Sequence, residues 1–129
     1  MTDRRQELLT LTDQFVDAFN RMNLDDVVSF FSEDAVYEDS AGGRHVGHKA
    51  IRTAFEPLVG GSRGSIRFDG EDVFAEVETG KVLASWRLSL DKDGDVSVIR
   101  GIDVLEFQGN KLAKKLAYMK VDKPHLETD

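Results

Sequence analysis

The stretch VIRGIDVLEF, Val98 to Phe107, alternates like a β-strand and puts Asp103 on the same side as Ile99, Gly101, Leu105 and Phe107. A carboxyl group on an apolar wall is poorly solvated, and desolvation drives an acid toward its neutral form. With no Lys or Arg nearby, Asp103 is expected to stay protonated at neutral pH and to bind ligand oxygens as a hydrogen-bond donor. Arg100 falls on the opposite face of the strand and is not expected to neutralise it. A second carboxylate, Asp39, ends the segment AVYED just before SAGG, where an Asp is equally suited to closing a turn by accepting from backbone amides.

Other polar groupings carry less chemistry. His45 and His48 are three apart, but the loop around them lacks the further ligands of a metal site. DKDGD reads as a hairpin turn, since its Gly is misplaced for a calcium loop and no Glu closes one. GGSRG lacks the Lys-Ser/Thr of a phosphate loop. Lys114 and Lys115 read as one solvated and one rim side chain. The chain has no cysteine, which excludes a thiolate nucleophile, a disulfide framework and a Cys-based zinc site. No metal and no cofactor are expected.

The elements that position these groups follow from periodicity. Leu8, Leu11, Phe15, Phe19 and Met22 make one apolar helical stripe. Asn23 can cap a second short helix with Val27, Val28, Phe30 and Phe31 as its apolar residues. AVYED is a short strand, and Ala50, Ile51, Ala54, Phe55, Leu58 and Val59 repeat as a third helix, stopped by Gly60 and Gly61 and shortened or kinked by Pro57. From Ser65 the period changes to two, in four segments separated by ETG, DKDGD and QGN, which favours antiparallel hairpins. Helices followed by a meander give an α+β domain over residues 1–129, with the helices on one face of a curved sheet.

Composition narrows the partners. A formal charge of −7 disfavours binding that depends on neutralising phosphates, so no nucleic acid is expected. No run approaches the roughly 18 apolar residues of a membrane span, and the N-terminus lacks a signal-peptide core, so no membrane association and a cytoplasmic location are expected. Val96, Val98, Ile102 and Val104 make the second face of the Asp103 strand apolar too, which suggests a homodimer through the sheet.

The order helix, helix, FFSEDAVYEDSAGGRHVGHKAIRTAF, then a meander containing GIDVLEFQGNKLAKKLAYMKVD, resembles the nuclear transport factor 2-like superfamily, particularly its ketosteroid isomerase-like and SnoaL-like members. The resemblance covers nearly the whole chain and rests on DAV, G-H-K-A-I, G-x-D-V and G-N-K-L in this order. It implies a cone-shaped fold with a pocket between the helices and the sheet, and an apolar small-molecule ligand. It also implies Asp39 as general base and Asp103 as the protonated acid that binds the substrate oxygen.

The tyrosines of the isomerase match Phe15, Phe31 and Glu56 here, so its phenolic network is absent. Tyr37, two residues before Asp39 and on the same strand face, is the candidate replacement. Phe15, Phe19, Phe31, Phe55, Trp86 and Met119 are the candidate apolar walls. The Arg-x-Asp pair of limonene epoxide hydrolase-like members is missing from ASWRLSL, and Asp122, near the last-strand Asp of the polyketide cyclases, reads as a solvated terminus. The implied reaction is cofactor-free isomerisation, aldol-type cyclisation or dehydration next to a carbonyl. The rival is a non-catalytic ligand-binding or dimeric interaction module, marked by a self-filled pocket and carboxylates bonded to protein groups.

Overall fold

A computed structural model describes residues 3–122. Asp3 accepts from the Arg5 amide and caps α1, Arg4–Asn20, whose buried face carries Leu8, Thr12, Phe15, Ala18 and Phe19. Asn23 accepts from the Asp26 amide and opens α2, Leu24–Ser29. The apolar run that follows is not helical to its end. Phe30 closes α2, and Phe31 begins β1, Phe31–Glu38, because it pairs with Leu112 at the far end of the chain. The segment VVSFF, Val27 to Phe31, holds no Gly or Pro and does not mark that switch by periodicity.

The loop SAGGRHVG also contains structure. Arg44–Val46 form β2, antiparallel to β1 with Tyr37 opposite His45. α3, Gly47–Val59, buries Ile51, Phe55 and Val59, and it continues for two residues past Pro57 before Gly60 ends it. The meander consists of β3, Ser65–Glu76; β4, Lys81–Lys92; β5, Asp95–Gln108; and β6, Lys111–Met119. Asp93 and Gly94, both at positive φ, make the two-residue β4–β5 turn that matches strand twist.

The six strands run β2-β1-β6-β5-β4-β3 in one curved, unclosed sheet, antiparallel except for the β1–β6 pair. α1 packs across β3 and β4, and α3 across β1 and β2, so the core lies between the helices and one sheet face. Two local devices shape that face. Ala113 is an extra residue in β6, between the pairs Phe107 with Leu112 and Glu106 with Lys114, so Leu112 and Lys115 both point inward despite their odd spacing. Gly101 makes room for Trp86, since a Cβ there would stand 2.5 Å from the indole ring. Among the described residues no helix is long and apolar enough to cross a membrane.

Candidate active site

A polar diagonal crosses the helix-facing side of the sheet. Tyr37 of β1 stands opposite Lys115 of β6, which stands opposite Leu105 of β5. Asp103 stands opposite Ala117 of β6 and Ala84 of β4. Its diagonal neighbours are therefore Lys115 on one side and Trp86 on the other, each at a Cα separation of roughly 7–8 Å that long side chains bridge. The Lys115 ammonium donates to Asp103 Oδ1 at 3.0 Å, with the two side chains 7% and 13% exposed. The same nitrogen lies 4.9 Å from the Tyr37 ring centroid and 5.7 Å from that of Phe55, within cation–π range.

These groups line a cavity of about 230 Å³ between α1, α3 and the sheet. Its walls include a chain of touching rings. Tyr37 stacks on Phe55 at 4.4 Å, Phe55 meets Phe19 at 5.0 Å, Phe19 meets Phe68 at 5.4 Å and Phe68 meets Trp86 at 5.3 Å. Such pairs add stabilisation beyond their buried area. A second hollow, of about 470 Å³, opens between α1 and β3 and shares Phe15, Val16, Phe68, Trp86 and Asp103 with the first.

The structure brings most of the residues singled out in the sequence together and sets two of them, Phe31 and Asp39, apart. Asp103, Phe15, Phe19, Tyr37, Phe55, Trp86 and Met119 line the first cavity together. Phe31 does not: it is buried behind the wall, its ring 5.6 Å from Phe15 and 6.2 Å from Phe55. Asp103 is not alone on its wall, because the counter-charge assumed missing is supplied by Lys115. That lysine is a buried part of the cavity floor rather than a rim side chain, whereas Lys114 is exposed. Lys115 shares its strand parity with Ala117 and Met119, a signal present in the sequence once Met119 is placed on the wall.

Asp39 has a different position. Its Oδ1 accepts from the Ala41 and Gly43 amides at 2.9 and 2.8 Å, and its Oδ2 lies 2.8 Å from His45 Nε2. It closes the turn and is not among the residues lining the cavity, so the geometry does not present it as a base there. Burial alone would raise its pKa, but the His45 contact and the two amides outweigh this and hold it below the ordinary carboxylate range. The turn in turn places His45 against Tyr37, ring centroids 5.4 Å apart. Burial, reinforced by the Asp103 and Asp39 charges, pushes the Tyr37 phenol far above its usual range, so it remains protonated and able to donate.

The profile of the SnoaL-like domain family matches residues 12–115. No curated protein matches the sequence. An NTF2-like protein of unknown function from Mesorhizobium loti superposes with a TM-score of 0.75 at 21% identity, over 94% of this chain and 97% of that one. An LEH-like epoxide hydrolase of M. tuberculosis gives 0.78 at 18% identity, over 93% and 83% of the two chains. SalBIII, an epoxide hydrolase/cyclase-like enzyme of pyran ring formation in salinomycin, gives 0.78 at 16% identity, over 89% and 92%.

Proposed function

Since the chain belongs to the SnoaL-like domain family, we propose that it is a cofactor-free enzyme that moves protons next to a carbonyl of a small apolar substrate. The observation that carries this reading is the Asp103–Lys115 pair set into the floor of an aromatic cavity. Oδ1 of Asp103 is engaged by Lys115, while Oδ2 has no hydrogen-bond partner among the described residues and is the atom that removes the proton. Lys115 donates to the carbonyl oxygen as it becomes an enolate, and Tyr37 supplies a second donor. Charge that develops on the oxygen thus meets preorganised donors in a water-poor site, where they act most strongly. Asp103 returns the proton to another carbon in an isomerisation, or to a departing hydroxyl in a dehydration.

This assignment differs from the isomerase pattern in two ways. Phe15 and Phe31 are buried hydrocarbon and Glu56 is exposed, so no phenol stands at those three places. The base moves from Asp39 to Asp103, with Asp39 holding the turn that buttresses Tyr37. Isomerisation, aldol-type cyclisation and dehydration all fit one base beside one fixed cation.

The test is deuterium uptake next to the carbonyl of probe ketones such as 2-tetralone in heavy water, followed by NMR. Wild-type protein is expected to accelerate exchange, and Asp103→Asn to lose at least about a hundredfold of that acceleration. Asp39→Asn should retain most of it. Ketone binding without any acceleration would instead support the non-catalytic reading, which the protein partners of both carboxylates favour.

We also propose a homodimer through the outer sheet face. Phe74, Leu83, Ile102 and Tyr118 are large apolar side chains exposed there, across β3 to β6. A solvated sheet face is ordinarily polar, and a contiguous apolar one marks a contact surface.

A further inference from the structure

We propose that Lys115 also acts as a covalent catalyst, its amine condensing with a ketone or aldehyde substrate to an iminium while Asp103 relays the protons. This rests on reading the cavity as an active site, and it goes beyond proton transfer to an oxygen-bound enolate. The first observation is the unequal use of the ammonium group. It has three N–H donors, yet Asp103 Oδ1 is its single hydrogen-bond acceptor among the described residues. A buried ion pair that serves the fold gains from satisfying its remaining donors. Here the Tyr37 and Phe55 rings and the cavity face the nitrogen instead. The nitrogen is therefore open to a carbonyl carbon on the side away from its counterion.

The second observation is the placement of the acid. Amine condensation needs a group that takes protons from nitrogen and gives them to oxygen, and Asp103 is 3.0 Å away inside the same cavity. The ammonium passes one proton to Asp103, and the freed lone pair attacks the carbonyl carbon. A C–N bond forms as the C=O π pair moves onto oxygen, which takes the proton from Asp103. A second N–H proton follows the same route to the hydroxyl; its C–O bond then breaks, water leaves and the nitrogen lone pair completes C=N. Of the three ammonium hydrogens, two depart in that water and one remains on the iminium. The pair begins as ammonium and carboxylate and ends as iminium and carboxylate, so the net charge of the site is unchanged and no step needs a further reactant.

An iminium withdraws electrons more strongly than a neutral carbonyl, which makes the adjacent C–H bond more acidic. Asp103, free again after water leaves, stands beside the bond it would then break. The ligand class follows: ketones or aldehydes with an apolar body and a hydrogen on the carbon next to the carbonyl. The exposed lysines, among them Lys49, Lys81, Lys92 and Lys114, lack both the enclosure and the cavity acid.

Reductive trapping tests this on the full chain. Purified protein is incubated with benzaldehyde or cyclohexanone and sodium cyanoborohydride, and modified peptides are mapped by mass spectrometry. Lys115 is expected to be alkylated ahead of the exposed lysines, and Asp103→Asn, verified as folded by circular dichroism, to slow it about a hundredfold. Lys115→Arg should abolish trapping at that position. Alkylation confined to exposed lysines, or an unchanged rate at Lys115 in Asp103→Asn, would overturn the proposal. Deuterium exchange without trapping in the wild type removes the covalent step and leaves the acid–base reading. Trapping without exchange upholds the covalent step and removes that reading.

Discussion

Lys115 and Asp103 meet diagonally across the β5–β6 ladder, Nζ to Oδ1 at 3.0 Å, and each is the other's only ion-pair partner among the described residues. Removing one member leaves a largely buried charge without its counterion. Lys115→Met is therefore expected to destabilise the fold by on the order of 3 kcal/mol, whereas the double variant Asp103→Leu/Lys115→Met should lie close to wild type. Urea denaturation of the single and double variants gives both values. A double variant no more stable than the singles would mean that the pair is held for a reason other than mutual neutralisation.

The Tyr37 phenol is pushed upward chiefly by burial, so it should not ionise before alkali unfolds the chain. The sign follows from linkage. Above about pH 10 the unfolded chain releases this proton and the folded one retains it, so stability falls as pH rises. Tyr37→Phe should remove that contribution and flatten the alkaline side of the stability curve. It should also leave the phenolate absorbance step below the unfolding pH unchanged. A smaller step in the variant would show that Tyr37 titrates in the folded state.

Asp39 shows the opposite linkage. Its folded-state pKa is depressed despite burial, by the His45 contact and the Gly43 and Ala41 amides. The stability it confers is present above the unfolded value, about 3.9, and is lost as pH falls through the folded value. Asp39→Ala should cost about 1 kcal/mol near neutrality, with the gap to wild type closing on acidification below about pH 4. Denaturation curves across pH 3 to 7 make the comparison. A gap that did not change with pH would assign the loss to the turn's shape rather than to the carboxylate.

The outer sheet face makes a prediction about assembly. Phe74 is 66% exposed and Ile102 38%. Phe74→Glu and Ile102→Lys place charge where the proposed dimer excludes water, and they are expected to give monomers in sedimentation equilibrium with unchanged circular dichroism. A wild-type chain that sediments as a monomer at all concentrations would remove the dimer.

What the sequence made legible follows its unbroken periods. The β5 residues keep strict alternation from Val98 to Phe107, so the inward side of Asp103 could be read directly. Its partner could be read only by counting back from Met119 through Ala117 to Lys115, because counting forward from Leu112 meets the extra residue Ala113, which shifts the parity of β6. Phe31 and the three residues of β2 were unreadable for a related reason: each depends on pairing with a distant or very short strand, which local spacing does not record. For Asp39 the chain position was clear, but its neighbours decide its chemistry. The two amides that fix it come from the turn and the imidazole from β2, and the course of both is not stated by SAGGRHV.

The parallel pairing of β1 with β6 sets the order in which the molecule can be assembled. The β3–β4, β4–β5 and β5–β6 hairpins join neighbours in the chain, whereas Tyr37 and Lys115 become adjacent only when an early strand docks on the last one. Long-range closure of this kind raises contact order and delays folding. During synthesis the helices and the first hairpins can form while the cavity still lacks its cation. The Asp103 carboxylate gains its counterion, and the Tyr37 ring its cover, in the closing step that completes the sheet.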